Sequence, residues 1–313
     1  MPDEMPEKDA REGPADAGSS LRAALRDALA RADAALASVE GGGGAPMARR
    51  EAVRTARRAL KEVRAIAPLC RVPGRDDLTD GVLEFAGKAN QLLGPLRDRD
   101  ALARSIQRLS ERFADAETRR VARTVLMATL VFSESDRRDE NAFADAAIER
   151  ARRALRSARQ AADASARGLA DGAIDGAEAA SVVWRHAQSL HEELSEALRR
   201  GDLARLHECR KLASLVALSL SPLGELPGGP LRRLRSRARR LASALGDDRD
   251  LALLDVEMHA ARARLAGSPL IDAIDGTLRL ARVESGARME DAARHHLRLR
   301  IRRVKRELDR LFE

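Results

Sequence analysis

Aromatic side chains are nearly missing: the 313 residues include no tyrosine, one tryptophan and five phenylalanines. Proteins that hold single-stranded nucleic acid stack bases on such rings, and RNA-reading domains do likewise. Little of that hardware is present, so a ligand with charge but no bases fits better. Cysteine is as scarce. Cys70 and Cys209 lie apart in apolar-patterned segments, neither in a C-x-x-C pair. That argues against zinc or thioredoxin-like chemistry and for buried free thiols in a reducing compartment. No run of eighteen apolar residues exists to span a bilayer. The N-terminal MPDEMPEKDAREGPADAG has no apolar stretch to act as a secretory signal, so a cytoplasmic location is expected. Nucleophile elbow, P-loop and metal triad are all missing, so the expectation is a non-enzyme without cofactor. Of the six histidines, only His186/His191 and His295/His296 are neighbours in sequence. Neither spacing stacks two ligands on one helical face, and no metal site is expected.

What the chain has in abundance is charge. Asp, Glu, Lys and Arg make up 34% of it, with 57 Lys+Arg against 49 Asp+Glu, a net charge of +8 and a pI near 10.4. A polyanionic partner follows from that balance: polyphosphate, nucleic acid or an acidic surface. No segment alternates polar and apolar residues as a half-buried strand does, whereas helical periodicity recurs throughout. Helices are predicted over about 21–36 (N-capped at Ser19–Ser20), 46–68, 77–93, 98–112, 115–134 and 138–169. In the second half they are predicted over 178–200, 202–221, 229–245, 248–265, 268–285 and 287–312. The expected architecture is all-α: a disordered tail over 1–18, one helical bundle over 19–171 and a second over 172–313.

Two stretches spell nearly the same thing. Leu93-Gly94-Pro95-Leu96-Arg97-Asp98 recurs as Leu245-Gly246-Asp247-Asp248-Arg249-Asp250, 39 and 38 residues after Arg54-x-x-Arg57-Arg58 and His207-x-x-Arg210-Lys211. A motif pair repeated in order and in register implies a duplicated unit. The repeat has a plain structural reading: leucine on the core, glycine just past one helix end, aspartate capping the next helix. Lys88 and Arg240 each precede the leucine by five residues.

On the helix predicted at 46–68, Arg50, Arg54, Arg57, Arg58, Lys61 and Arg64 share an arc of about 120°, beside an apolar stripe of Val53, Ala56, Leu60 and Val63. Like charges at these spacings repel by a few tenths of a kcal/mol per pair. Glu51 and Glu62, at the stripe's edge, are expected to offset little of this. An anion over the stripe would justify the crowding, and arginine's fork suits phosphate oxygens. The counterpart at 202–221 keeps His207, Arg210 and Lys211 but has Ser214 and Ala217 where Lys61 and Arg64 stand. Arg294, Arg298, Arg302 and Lys305 flank the apolar stripe of the last helix and are further candidates. Arg150, Arg152, Arg153, Arg156 and Arg159 close the first half in the same way.

On these motifs the chain resembles the CHAD (conserved histidine α-helical domain) family over about residues 19–312. The resemblance implies two bundles related by a pseudo-twofold axis, with basic residues converging on a central groove or pore. It also implies binding of inorganic polyphosphate, often at polyphosphate granules. Two departures stand out: Arg54 occupies the family histidine's place in the first motif, and the second motif lacks the later basic positions. The triphosphate-tunnel catalytic domain fused to some members has no counterpart here. The expected ligand contacts are therefore Arg50, Arg54, Arg57, Arg58, Lys61, Arg64, Lys88, Arg97, His207, Arg210, Lys211, Arg240 and Arg249. The rival readings are a nucleic-acid-binding helical protein, a polyphosphate-metabolising enzyme, and a scaffold whose basic stripe pairs with its own carboxylates.

Overall fold

Apolar residues three and four apart lay a buried stripe along nearly every helix. In the first, Leu21, Leu25, Ala28, Leu29, Ala32 and Leu36 are all buried, as the spacing requires for an amphipathic helix against a core. The computed structural model describes residues 15–39, 46–71, 76–131, 136–167, 174–223, 229–262 and 270–312. Among them are eleven α-helices and no strand. They are α1 (Ala15–Ala37), α2 (Pro46–Ile66), α3 (Asp76–Leu92), α4 (Gly94–Ser110), α5 (Ala116–Leu126) and α6 (Asp136–Arg167). The rest are α7 (Gly176–Arg200), α8 (Leu203–Ser219), α9 (Gly229–Ala260), α10 (Ile271–Leu297) and α11 (Ile301–Phe312). A 3₁₀ turn (Ala67–Cys70) extends α2, and a π turn (Met127–Val131) extends α5. Residues 1–14, most of the expected tail, lie outside the described residues. α1 begins at Ala15, so Ser19 and Ser20 sit within its first turns rather than at its cap.

Helices α1, α2, α3 and α6 pack together, as do α7, α8, α9 and α11 with part of α10. The two sets are not separate cores. One continuous apolar cluster runs from Leu21 through Leu60 and Leu190 to Leu308. It is sewn across the middle by α2 against α8, where the buried Ser219 hydroxyl donates to the Ala65 carbonyl at 3.1 Å. A smaller cluster joins Leu102, Ile106, Leu109 and Leu126 of the first half to Leu251, Leu254, Ile274 and Leu278 of the second. Cys70 and Cys209 are buried free thiols. Burial pushes them up to about 12 and about 11, which leaves both unreactive at neutral pH.

Chain breaks obey ordinary chemistry in places. Asp175 caps α7, accepting from the Glu178 amide at 3.0 Å, and Gly201 ends it with a φ of 65°. Gly176 approaches the far end of the chain so closely that a Cβ would lie 2.5 Å from the Phe312 carbonyl oxygen. Two expected breaks do not occur. α9 runs unbroken through Gly246 and α10 through Gly286. A helical glycine costs about 1 kcal/mol, less than the burial of Leu241, Leu245, Leu251 and Leu254 on both sides of Gly246. The break falls instead at 298–300. In a continuous helix Leu299 would point roughly 200° away from Leu297; the kink lets Leu299 join Val304 in the core.

His296, at the end of α10, is fully buried, and neither ring nitrogen has a hydrogen-bond partner. Burial, with the charges of His191, Arg237 and His295, pulls it down to about 4. Unfolded, it titrates near 6.5. Above pH 6.5 the ring is neutral in both states, and between 6.5 and 4 only the unfolded chain takes the proton. Stability should therefore fall on acidification through that window, by up to about 1.4 kcal/mol per pH unit. His296→Phe should flatten that segment in urea-melt series from pH 7 to 4. An unchanged slope would refute the assignment.

Candidate functional site

The repeated Leu-Gly-x-x-Arg-Asp motif does not do what its residues promise as turn chemistry. Leu93 is the turn, Gly94 is the first residue of α4, and α4 has no side-chain cap. Gly201 is the only described glycine with positive φ, so Gly94 and Gly246 make no left-handed stop. Asp98 and Asp250 sit inside helices and cap nothing. Both lie within 4.0 Å of Arg97 instead.

Around them five cations from four helices converge: Arg57 and Lys61 on α2, Arg97 on α4, Arg210 on α8 and Arg249 on α9, all half-buried. Arg57 feels the charges of Arg97, Arg210 and Arg249, and burial with this repulsion draws it down to about 10. Lys61 is drawn down to about 8 by burial first, then by Arg210, Arg97 and Arg57. Arg210 is lowered by burial, Arg97 and Arg249.

Counter-charge is thin. Arg97 reaches Asp98 at 3.2 Å and Asp250 at 4.0 Å. Asp250 is shared with Arg108 at 3.5 Å, whose other nitrogen donates to Asp247 at 2.7 Å. Arg57 donates to the Asn90 carbonyl, beside Gly94, whose Cβ would lie 4.0 Å from the guanidinium. Lys61, Arg210 and Arg249 make no hydrogen bond or ion pair among the described residues, and the Arg210 Nε is buried without a partner. Unpaired half-buried cations are costly.

The rest of the predicted set divides. Arg54 is exposed and pairs with Glu51, so that glutamate does offset part of the stripe, whereas Glu62 turns to Arg31 on α1 at 2.6 Å. Arg58, Arg64 and Lys88 are exposed and make no ion pair among the described residues; Arg50 lies beside Met47. Lys211 is exposed and bonds to Glu208 at 2.7 Å. The side chain of His207 lies outside the described residues. Arg240 lies apart from the cluster: it pairs with Asp291 at 2.7 Å, in the groove between α9 and α10. Because α9 is unbroken, nine residues carry Arg240 about 180° round from Arg249. Arg294 pairs with Glu290 and Lys305 with Asp309, Arg302 is exposed, and Arg298 lines a separate pocket. Among the described residues no three metal-ligating side chains gather, and no helix is long and apolar enough to cross a membrane.

The CHAD domain model matches residues 20–259. The chain belongs to the CHAD domain family. A solved CHAD domain, from the plant Ricinus communis, aligns over 94% of this chain and 91% of its own, at 16% identity and a TM-score of 0.49. No curated protein matches. All five cluster cations fall inside the stretch of the CHAD match; α10 and α11 lie beyond it.

The cluster's strain predicts opposite effects for two substitutions in anion-free buffer. Arg210→Met removes an uncompensated cation and should raise stability by about 1 kcal/mol. Asp250→Asn removes the shared carboxylate and should lower it by about 1–2 kcal/mol. Thermal melts at low salt decide. Destabilisation by Arg210→Met would mean that its charge is satisfied.

Proposed function

We propose that this CHAD protein binds inorganic polyphosphate without chemically altering it, and that the cluster of Arg57, Lys61, Arg97, Arg210 and Arg249 is the clamp. The observation that carries the reading is charge without counter-charge: half-buried cations from both halves of the chain, three of them unpaired among the described residues. A polyphosphate chain would supply the missing anions, several per ligand, and arginine forks would add geometric preference. Exposed Arg58, Arg64 and Lys88 would extend the contact outward, as the duplicated register of the basic motifs suggests. Family membership supports the same ligand class. Association with polyphosphate granules is part of this proposal.

The binding term is counter-ion replacement, so affinity should fall steeply and linearly with the logarithm of salt concentration, as it does on DNA. Long-chain polyphosphate should outcompete duplex DNA and RNA at physiological salt, there being almost no aromatic surface for bases. Equal displacement by nucleic acid would overturn the reading. Incubation with polyphosphate and Mg²⁺ or Mn²⁺ should release no orthophosphate.

Lys61 gives a sharper signature. Free, it loses its proton near pH 8; a bound polyanion favours the charged form. Affinity should therefore decline as pH rises from 7.5 to 9.5, with proton uptake on binding. Lys61→Arg should abolish that decline while keeping the neutral-pH affinity. If the variant and the parent show the same pH profile, Lys61 is not in the clamp.

A further inference from the structure

We propose a second anion site, for a compact phosphate group, at the opposite end of α9 from the cluster. A cavity of about 180 Å³ lies between the start of α9 and the junction of α10 with α11. Five arginines line it: Arg233, Arg237, Arg298, Arg300 and Arg303. Among the described residues no carboxylate does, and none of the five forms an ion pair. Arg237 is spoken for by a backbone group, donating to the His295 carbonyl at 2.7 Å. Burial and the nearby charges of Arg233 and Arg298 press it downward. Burial, Arg237, Arg240 and Arg298 likewise hold His295 below its ordinary value against Asp291.

The helix pattern explains how the arginines meet. Pro230, Arg233 and Arg237 sit at i, i+3 and i+7, one face of α9. The kink at 298–300, which buries Leu299, swings Arg298, Arg300 and Arg303 to the same cavity. Two helices also begin here, α9 at Gly229 and α11 at Ile301, with no acidic residue in either first turn. Their amide ends add partial positive charge to the same space. No described carboxylate cancels this, and an anion would complete the site. At roughly 30 Å³ per water the cavity holds about six, room for orthophosphate, pyrophosphate or the last phosphates of a chain. Sixteen residues separate Arg233 from Arg249, about 24 Å of helix, so the pocket is not part of the clamp. Its α11 wall lies outside the stretch that matches the CHAD model.

The site does not depend on the polyphosphate reading. The test uses the full chain and calorimetric titration with sodium pyrophosphate at low salt. Arg233→Glu with Arg303→Glu reverses two exposed walls without touching the Arg237 bond. Pyrophosphate affinity at this site should fall at least about tenfold, the scale of losing charge-assisted contacts. Arg232→Glu with Arg306→Glu makes the same charge change on the same two helices, at exposed positions off the pocket lining, and should stay within about twofold. Equal losses in the two doubles would reduce the effect to net charge and overturn the proposal, as would no loss in either. Arg57→Glu with Arg210→Glu should leave this phase intact even if it abolishes, or fails to affect, binding at the clamp. A parallel titration with long-chain polyphosphate identifies the source. If Arg233→Glu/Arg303→Glu weakens it too, the pocket grips a chain end; if only pyrophosphate binding suffers, it takes a free small phosphate.

Discussion

Repulsion among Arg57, Lys61, Arg97, Arg210 and Arg249 is the constraint on which the middle of the molecule is organised. Four helices hold these groups half-buried around Asp98 and Asp250, with too little negative charge to balance them. Packing enforces the arrangement. α2 and α8 meet along the continuous core, and α4 is fastened to α9 by Arg108 on Asp247 and Asp250. That fastening carries two opposing consequences. It brings Asp250 beside the cations, and it brings Arg97 into the like-charged group.

Storing such repulsion is destabilising by itself, and proteins spend stability in this way where function needs it. The apolar side of the ledger is broad enough to carry it: the core extends from Leu21 to Leu308 without a gap between the halves. The same logic recurs in miniature at the second pocket, where a kink that buries Leu299 gathers arginines that no described carboxylate meets. In both places apolar packing decides where the backbone goes and charge is left unsatisfied. An anion is the economical completion of each.

Helical periodicity made the all-α class, and most of its elements, legible, because buried stripes such as Leu21/Leu25/Leu29 report their partner directly. The repeat led to positions that do lie together in the cluster, but its turn reading did not hold. Glycine and aspartate in Leu-Gly-x-x-Arg-Asp have familiar turn and cap duties, yet here Gly246 is mid-helix and Asp250 is a counter-ion. No local rule announces that leucines on both sides will carry a helix through a glycine. The six-residue basic stripe was visible, but its division was not. Arg57 and Lys61 turn inward because α8 and α4 lie over that edge, while Arg54 is left outside with Glu51. That Arg240 faces away from Arg249 was hidden by the same missing knowledge of α9. The arginines of the second pocket lie some 65 residues apart between α9 and α11, and only the kink joins them.

The two halves contribute unequally to the cluster: α2 offers Arg57 and Lys61, while α8 offers Arg210 and has Ser214 in the register of Lys61. A ligand held there would be gripped more firmly from one side, which favours a chain that runs through over one that sits symmetrically. A crystal structure of the full chain with a polyphosphate of defined length tests this most directly. The account predicts phosphate oxygens about 2.7–3.2 Å from Arg57, Lys61, Arg97, Arg210 and Arg249, with Asp250 turned away from them. Phosphate density on the outer faces alone, with ordered water filling the space among those five cations, would contradict it.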